Sequence, residues 1–566
     1  MLSTDERKLG EWWAEGDMPV RTDSRVTYFV DGRTAMLTMC IHFIKARKYI
    51  YLANWGMTPG MELVRGTDHQ AGPDGSPEQE ALLAELRAEG LEQADIDFWC
   101  SHDLSVQAVL GYAVSKGVEV KALLWDTLVF PGLPVYYYPK VAKQQLDQVG
   151  VTCILDDSAR GIMHHPLESL HQKVSVVDGM YAFVGGIDLM IDRTGDYDRW
   201  DTPSHPFSSP LRRTEENTSP HSWHDAHSII EGSAAGDVEL NFRQRWNDVV
   251  KRHHWSKDLL IPEHPLPPPL ESKNVIQLVR TIPEHTYSFD PDPGIQDIAQ
   301  IYAKAFSNVQ RFVYLENQYF WQHSYFLVDV PLLGADSPEM ERNIRELAGA
   351  LRRGALVAMI LPDHPQPGRA FTDAGLTLLR KEAGEAAKDG RLLAFCLGAS
   401  THKEDGEHYR PIYVHAKIGI VDDLWSTVGS ANLNNRGMRD DTEMNVAVLD
   451  AELARGLRLR LWAEHLGLVT DADLLAVTRY LNQWQRRWFK DQHAKRVLHS
   501  LEETLGDPLV GLRFMHERAE DNLQRYKAKQ PLVGHLLPYL TSEEATQQGL
   551  PFREEDGWLE EPPKSS

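Results

Sequence analysis

One pattern, His-x-Lys-x4-Asp, occurs twice in this chain. The first copy is His171-Gln172-Lys173 with Asp178, and the second is His415-Ala416-Lys417 with Asp422. A glycine follows fourteen residues after each histidine, Gly185 and then Gly429. Two copies that share this later glycine, one in each half, constrain the fold more than any other feature. They require two similar half-sites able to meet around one ligand. Other segments repeat in the same order. Tyr49-Ile-Tyr-Leu-Ala-Asn54 resembles Phe312-Val-Tyr-Leu-Glu-Asn317, and the run from Gly117 resembles the run from Gly354, each after a helical pattern (Val106 to Lys116; Ile344 to Arg353).

Helix, apolar strand, helix, apolar strand is the pattern of an α/β protein whose sheets are covered on both faces. The apolar run after each motif lysine reads as a buried strand, Asp178-Gly179 and Asp422-Asp423 as tight turns, and Tyr181–Val184 and Trp425–Val428 as return strands. Residues two apart in a strand share a face, so each half-site is expected to present its histidine and lysine together. Five prolines between Ile261 and Leu270 cannot sustain a helix or a central strand and mark a linker. The expected organisation is a first lobe over 1–260, a linker over 261–272, a second lobe over 273–500, and an extension over 501–566, partly helical with a polar tail. A surface insertion with one helix (Glu78 to Glu89) is expected within 58–95, and a long polar loop over 192–222.

Composition sets outer limits. At 566 residues, with 42% apolar and 25% charged residues, the chain is globular and too long for one core. Its net charge of −23 argues against a nucleic-acid partner, which would call for a basic surface. The four cysteines form no CxxC pair and read as buried thiols in a reducing compartment. The N-terminus lacks the basic start and apolar run of a secretory signal, and no stretch nears the roughly 20 apolar residues needed to span a bilayer. The expectation is a cytoplasmic chain with no transmembrane segment, non-classical secretion as an effector being the alternative.

The paired motif holds a set of groups suited to phosphodiester cleavage. A neutral imidazole attacks phosphorus well, and a second, protonated one can donate to the leaving oxygen. Two lysines can stabilise charge on the non-bridging oxygens without a metal or other cofactor. Small residues at Gly185-Gly186 and Gly429-Ser430 are expected to let backbone and side chains approach the phosphate. Asn432 can donate to it, whereas the matching Asp188 is an acceptor. Each histidine needs a partner to fix its tautomer, and Asp225 and Glu443 are the candidates. Asp178 and Asp422 stand out of strand phase with the histidines and take a supporting role among the catalytic residues, holding the turn or tuning the lysine. The histidine pairs His164-His165 and His253-His254 read as surface residues, with His224 and His227 nearer the site. The apolar, aromatic stretch Leu128–Pro139 reads as a core-filling loop, or else as a surface dipping into a lipid interface.

These residues resemble the phospholipase D superfamily, whose signature is this doubled motif. Phe183-Val-Gly-Gly-Ile-Asp-Leu189, Arg199–His205, Trp223-His-Asp225, Asn241–Trp246, Glu316-Asn-Gln-Tyr-Phe320, Val428-Gly-Ser-Ala-Asn432 and Leu461–Gly467 resemble the eukaryotic-type enzymes of plants and animals. The resemblance covers about residues 25–470. It implies two similar α/β sandwich lobes with mixed sheets flanked by helices and the active site at the lobe interface. It also implies that His171 is the nucleophile, that His415 is the acid/base, and that Asp225 and Glu443 orient the two rings. The core looks like a bacterial or stripped-down version lacking C2 or PX and PH modules, so calcium- or phosphoinositide-dependent docking is not expected.

The implied function is hydrolysis of glycerophospholipids to phosphatidic acid through a phosphohistidine, with headgroup exchange as a side reaction. The implied partner is a phospholipid at a membrane or micelle surface, with the oligomeric state left open. A cardiolipin synthase-type phosphatidyltransferase, a nuclease of this fold and a catalytically dead scaffold are the competing readings.

Overall fold

A computed structural model of the chain describes residues 11–69, 77–127, 138–160, 168–192, 196–214, 220–322, 337–364, 368–481, 492–553 and 557–559. Most of the aromatic stretch (128–137) and the pair His164-His165 lie outside the described residues. Two sheets carry the fold. The first has seven strands in the order Ser24–Val30, Ala226–Gly232, Tyr181–Gly185, Val174–Val177, Tyr49–Asn54, Glu119–Trp125 and Thr152–Asp156. The second contains the same series as Val275–Ile282, Glu443–Leu449, Trp425–Gly429, Lys417–Val421, Phe312–Asn317, Leu356–Ile360 and Leu392–Lys403. Along both series the first four pairings are antiparallel and the last two parallel. The mixed sheets and the repeated lobes expected from the sequence are therefore present, strand for strand.

The motif strands are buried at every position, Val174–Val177 and Lys417–Val421 alike. Alternate residues, Val174 and Val176, Ile418 and Ile420, enter a single apolar core shared by the two halves, together with helices Ser233–Arg252 and Ala451–His465. Burying each such side chain contributes about 1.5–3 kcal/mol, so the interface between halves is as firmly held as a domain interior. Each sheet has a second core on its outer face, built around Trp99 and Leu110 in one half and Ile344 and Trp425 in the other.

Three short strands cross the boundaries drawn from sequence. Val20–Arg21 and Ser222–His224 both join the second sheet, although they precede the linker. Leu536–Pro538, in the expected extension, pairs with Leu392–Lys403, and Trp558 is fully buried in the second half's outer core. The extension is thus part of that core. The insertion helix spans Pro77–Ala88, as expected. Cys40, Cys153 and Cys396 are buried, but Cys100 is exposed, because it sits on the outer side of the helix Gln93–Ser101.

The motif aspartates stand in the turns, in left-handed backbone (φ 54° and 56°). Asp178 accepts the backbone amides of Arg47, Lys48 and Tyr49 at 2.7–3.2 Å, and Asp422 those of Gln310, Arg311 and Phe312 at 2.7–2.8 Å. Each carboxylate ties its own turn to the start of the neighbouring strand. Replacing Asp422 by alanine should strand three amides and strain the turn. The expected loss is about 1–3 kcal/mol in chemical denaturation. Asp422→Asn, which tolerates the left-handed conformation and keeps one acceptor, should lose less. Equal stability of all three proteins would contradict this role.

Candidate active site where the two halves meet

The two motif histidines come together from opposite sheets, with ring centroids 6.4 Å apart. Each stands just before its strand, not within it, because its amide bonds to the other half. His171 N donates to Thr442 O at 2.8 Å, and His415 N donates to His224 O at 2.8 Å. Thr442 and His224 occupy equivalent places, immediately before the candidate carboxylates. His171 Nδ1 then meets Glu443 Oε1 at 2.9 Å, and His415 Nδ1 meets Asp225 Oδ2 at 2.7 Å. The pairing is crossed: each half supplies one histidine and the carboxylate for the other half's histidine. With Nδ1 so engaged on both rings, Nε2 is the nitrogen left for chemistry.

The crossing follows from the strand paths. Ser222–His224 lies in parallel against Gly406–Val414 at the edge of the second sheet, and the chain passes through Asp225 into Ala226–Gly232 of the first sheet. Asp225 therefore sits between the sheets. In the other half a single parallel bridge, Leu170 to Thr442, does the same work, helped by Asp441 accepting Ser169 N at 2.8 Å. Both carboxylates are further fixed. Trp223 Nε1 donates to Asp225 at 3.2 Å, and Ser430 Oγ donates to Glu443.

Both lysines turn back on their own histidine, Nζ of Lys173 and of Lys417 donating to the carbonyls of His171 and His415. Their remaining partners differ. Lys173 pairs with Asp188 at 3.1 Å, and Lys417 donates to Gln318 Oε1 at 3.1 Å, which also accepts Asn432 Nδ2 at 3.2 Å. Asp188 also accepts Gly56 N at 3.2 Å. Lys173 thus takes its charge partner from the loop after the return strand, not from Asp178, which stays in its turn. Trp55 stands edge-on to His171 (6.3 Å), and Trp223 lies against His415 (4.6 Å).

The glycines leave room that neighbouring side chains occupy. A Cβ at Gly185 would meet His227 Nδ1 at 2.4 Å, one at Gly186 would meet Asp225 Oδ1 at 2.1 Å, and one at Gly429 would meet Asn445 Oδ1 at 2.0 Å. His227 and Asn445 are equivalent, facing Gly185 and Gly429 across the ladder. Each accepts the amide two residues beyond its glycine, Ile187 or Ala431. The repeated glycine is therefore what lets a side chain two positions after the carboxylate hold the next loop. Gln318 and Asn445 carried no expectation from sequence. The signal for Gln318 was its place directly after Asn317, which repeats Asn54. His253 is half-exposed beside Asp157, at a distance from the paired rings in the fold.

Burial first, then the charges of Lys173, Lys417, His415 and Arg436, hold His171 well below the ordinary imidazole range. Burial, then Lys417, Lys173 and Arg199, do the same to His415. Burial also brings Lys417 down to about 7, although Asp225 resists the shift, and raises the carboxyls of Asp225 and Glu443. Both rings are thereby biased toward the neutral form beside the two motif lysines, an arrangement suited to attack on an anionic phosphorus centre. Behind Asp225, His224 leads into a buried group of imidazoles and carboxylates with the spacing of metal ligands.

Comparison with known proteins places residues 42–335 in the phospholipase D family and residues 320–462 in the family described as cardiolipin synthase, PLD-like domain. The chain is 28% identical to phospholipase D alpha 1 of Carica papaya over 486 residues, 66% of this chain and 60% of that protein. It is 28% identical to phospholipase D beta 2 of Arabidopsis thaliana over 546 residues, 75% of this chain and 56% of that protein. The chain thus spans less than two thirds of the length of these relatives. The solved phosphatidylserine synthase of Haemophilus influenzae Rd KW20 aligns over 90% of this chain and 99% of that one, with a TM-score of 0.45 and 13% identity.

Lys417 is the charged neighbour that most depresses His415. Removing a positive charge favours the imidazolium, so Lys417→Met should raise the His415 pKa toward the ordinary value of about 6.5. NMR titration of labelled imidazoles, with the resonance identified by its loss in His415→Gln, measures the change. An unchanged or lowered pKa would contradict the electrostatic account.

Proposed function

Because the chain belongs to the phospholipase D superfamily, we propose that it is a phospholipase D. In this reading it hydrolyses glycerophospholipids, phosphatidylcholine or phosphatidylethanolamine among them, to phosphatidic acid and the headgroup alcohol. The observation that carries the proposal is the crossed pairing of His171 with Glu443 and His415 with Asp225 around one gap. A gap of 6.4 Å between ring centres suits a single tetrahedral phosphate approached from two sides.

The reaction runs in two displacements. Nε2 of neutral His171 attacks phosphorus, and the bond to the headgroup oxygen breaks as His415 Nε2–H gives that oxygen its proton. The substrate's negative charge offsets the lysines and restores the proton affinity that burial and Lys417 remove from His415. Lys173 and Lys417 stabilise the charge developing on the non-bridging oxygens. In the second step His415 takes a proton from water, the oxygen bonds to phosphorus, and the bond to His171 breaks. A primary alcohol in place of water gives headgroup exchange. Glu443 and Asp225 hold each Nδ1–H and so keep Nε2 in the reacting tautomer.

Phospholipid transfer of the cardiolipin synthase type is the second reading, favoured by the match over residues 320–462. It uses the same histidines with a lipid alcohol as acceptor. Among the described residues no helix is long and apolar enough to cross a membrane, so a lipid substrate would be met at an interface.

Liposomes of phosphatidylcholine with ethanol separate these readings. The expected products are phosphatidic acid and phosphatidylethanol, both absent with His171→Ala. Alkaline quench of His415→Asn should trap a phosphatidyl adduct on the peptide holding His171. Cleavage of DNA alone would sink the proposal, and activity confined to phosphatidylglycerol as donor and acceptor would favour the second reading. Asp225→Asn and Glu443→Gln should each lower kcat by roughly 10²–10⁴ with little change in KM, as expected when an orienting carboxylate is neutralised.

A further inference from the structure

Beside Asp225 lies a second group of titratable side chains that the two displacements do not use. His224 Nδ1 is 3.0 Å from Asp31 Oδ1 and 3.0 Å from Glu464 Oε1. His205 Nε2 is 3.1 Å from Glu464 Oε1 and 3.4 Å from Asp31 Oδ2. Imidazole and carboxylate alternate around a ring of four side chains, Asp31 turning a different oxygen to each histidine, and one ligand atom from each residue lies within 4.8 Å of the others. A tetrahedral zinc ion with bonds of about 2.0–2.1 Å to nitrogen and oxygen has ligand-to-ligand edges of about 3.3–3.4 Å, close to these separations.

The surroundings complete the pattern. The other nitrogen of each ring meets a further carboxylate: His205 Nδ1 lies 3.2 Å from Asp201 Oδ2, and His224 Nε2 lies 2.7 Å from Glu316 Oε2. Metal-bound imidazoles are held in this way, with the outer carboxylate taking the remaining N–H and turning the lone pair inward. Glu316 is itself held by His465 Nε2 at 2.8 Å. Asp31, His205 and His224 are completely buried, and Glu464 is 3% exposed. Asp31 Oδ2 has His205 Nε2 beside it at 3.4 Å but no well-formed hydrogen bond, a costly state for a buried carboxylate oxygen that a cation would relieve. Asp31 (φ 63°) and His205 (φ 38°) are both in left-handed backbone, the kind of local strain that persists where surrounding structure demands it. A cavity lined by Ser204, His205, Glu464, Gly467, Gly534 and His535 gives a route in.

We propose that Asp31, His205, His224 and Glu464 bind a divalent cation of the zinc type, which locks the crossing of the chain between the two sheets. The site is distinct from the phosphate gap. It reaches the gap through the backbone: Asp31 N donates to Asp225 O at 2.8 Å, and Asp225 N donates to Asp31 Oδ1 at 3.2 Å. The ion would therefore steady the carboxylate that orients His415. The repeat does not explain the cluster, since Thr442 of the second half stands where His224 stands in the first, and Ala53 of the first half stands where Glu316 stands in the second. Two imidazolium protons would carry the same charge as one divalent ion, so the metal itself has to be measured.

The full chain, purified without chelator, should contain about one equivalent of zinc by elemental analysis after gel filtration. The zinc should leave on prolonged treatment with dipicolinate, with a lower melting temperature that added zinc restores. Growth on cobalt should give the visible absorption of tetrahedral cobalt. His205→Gln and Glu464→Gln should lose the metal, whereas His499→Gln, in an exposed pair with Glu503, should keep it. Wild-type chain that is metal-free and whose melting temperature zinc does not raise would overturn the proposal. So would zinc retained in both cluster variants and lost in His499→Gln. The wild-type measurements decide the matter even if a cluster variant fails to fold.

Discussion

The structure depends on the exchange of carboxylates between its halves. His171 has no orienting acid of its own lobe, and neither has His415; Glu443 and Asp225 come from the opposite lobes. Neither half can hold a competent imidazole alone, so the apolar core shared between the two sheets is a condition of the chemistry as much as of stability. A shift of one sheet against the other would lengthen both hydrogen bonds together. The amide contacts from His171 to Thr442 and from His415 to His224 oppose that shift at the points where it would matter.

Electrostatics then separates two rings that the repeat makes alike. Lys173 has a charged partner in Asp188, while Lys417 has the neutral Gln318. A buried ammonium without a carboxylate in contact is the more easily deprotonated, and Lys417 is the one brought to about 7. Its full charge is best sustained when an anion is present.

The duplication and the α/β pattern were legible in the sequence, because each rests on local spacing or on a segment that repeats, and the expected partners Glu443 and Asp225 do stand within hydrogen-bond distance of His171 and His415. Tyr49–Asn54 and Phe312–Asn317 proved to be the same strand of the two sheets. What sequence could not yield is whatever depends on pairing across the halves. Ser222 reads as the end of a polar loop, yet Ser222–His224 is a strand at the edge of the other sheet. The segment after residue 500 shows no repeat partner, yet Leu523, Tyr526, Leu537 and Trp558 enter the second half's outer core and Leu505, Leu512 and Met515 the shared one. Gly185 and Gly429, expected to let backbone and side chains approach the phosphate, leave room that His227 and Asn445 occupy, and only the ladder register reveals which side chain lies opposite a glycine.

The departures from symmetry are as informative as the repeat. In the second half the backbone bridge at Thr442 is joined by Ser430, which donates to Glu443 from just beyond its strand, and by Asp441, which accepts Ser169 N of the first half. In the first half Asp225 lies at a crossing between sheets, and its neighbours Asp31 and His205 are held in left-handed backbone. Asp225 is held there by Trp223 Nε1 and by its backbone contacts with Asp31. The ring of Asp31, His205, His224 and Glu464 lies behind those contacts, and among the described residues no such group of ligand atoms stands beside Glu443. Read this way, the cluster and the catalytic pair are parts of one solution: the fold places an acid between two sheets, and buried charge keeps it there.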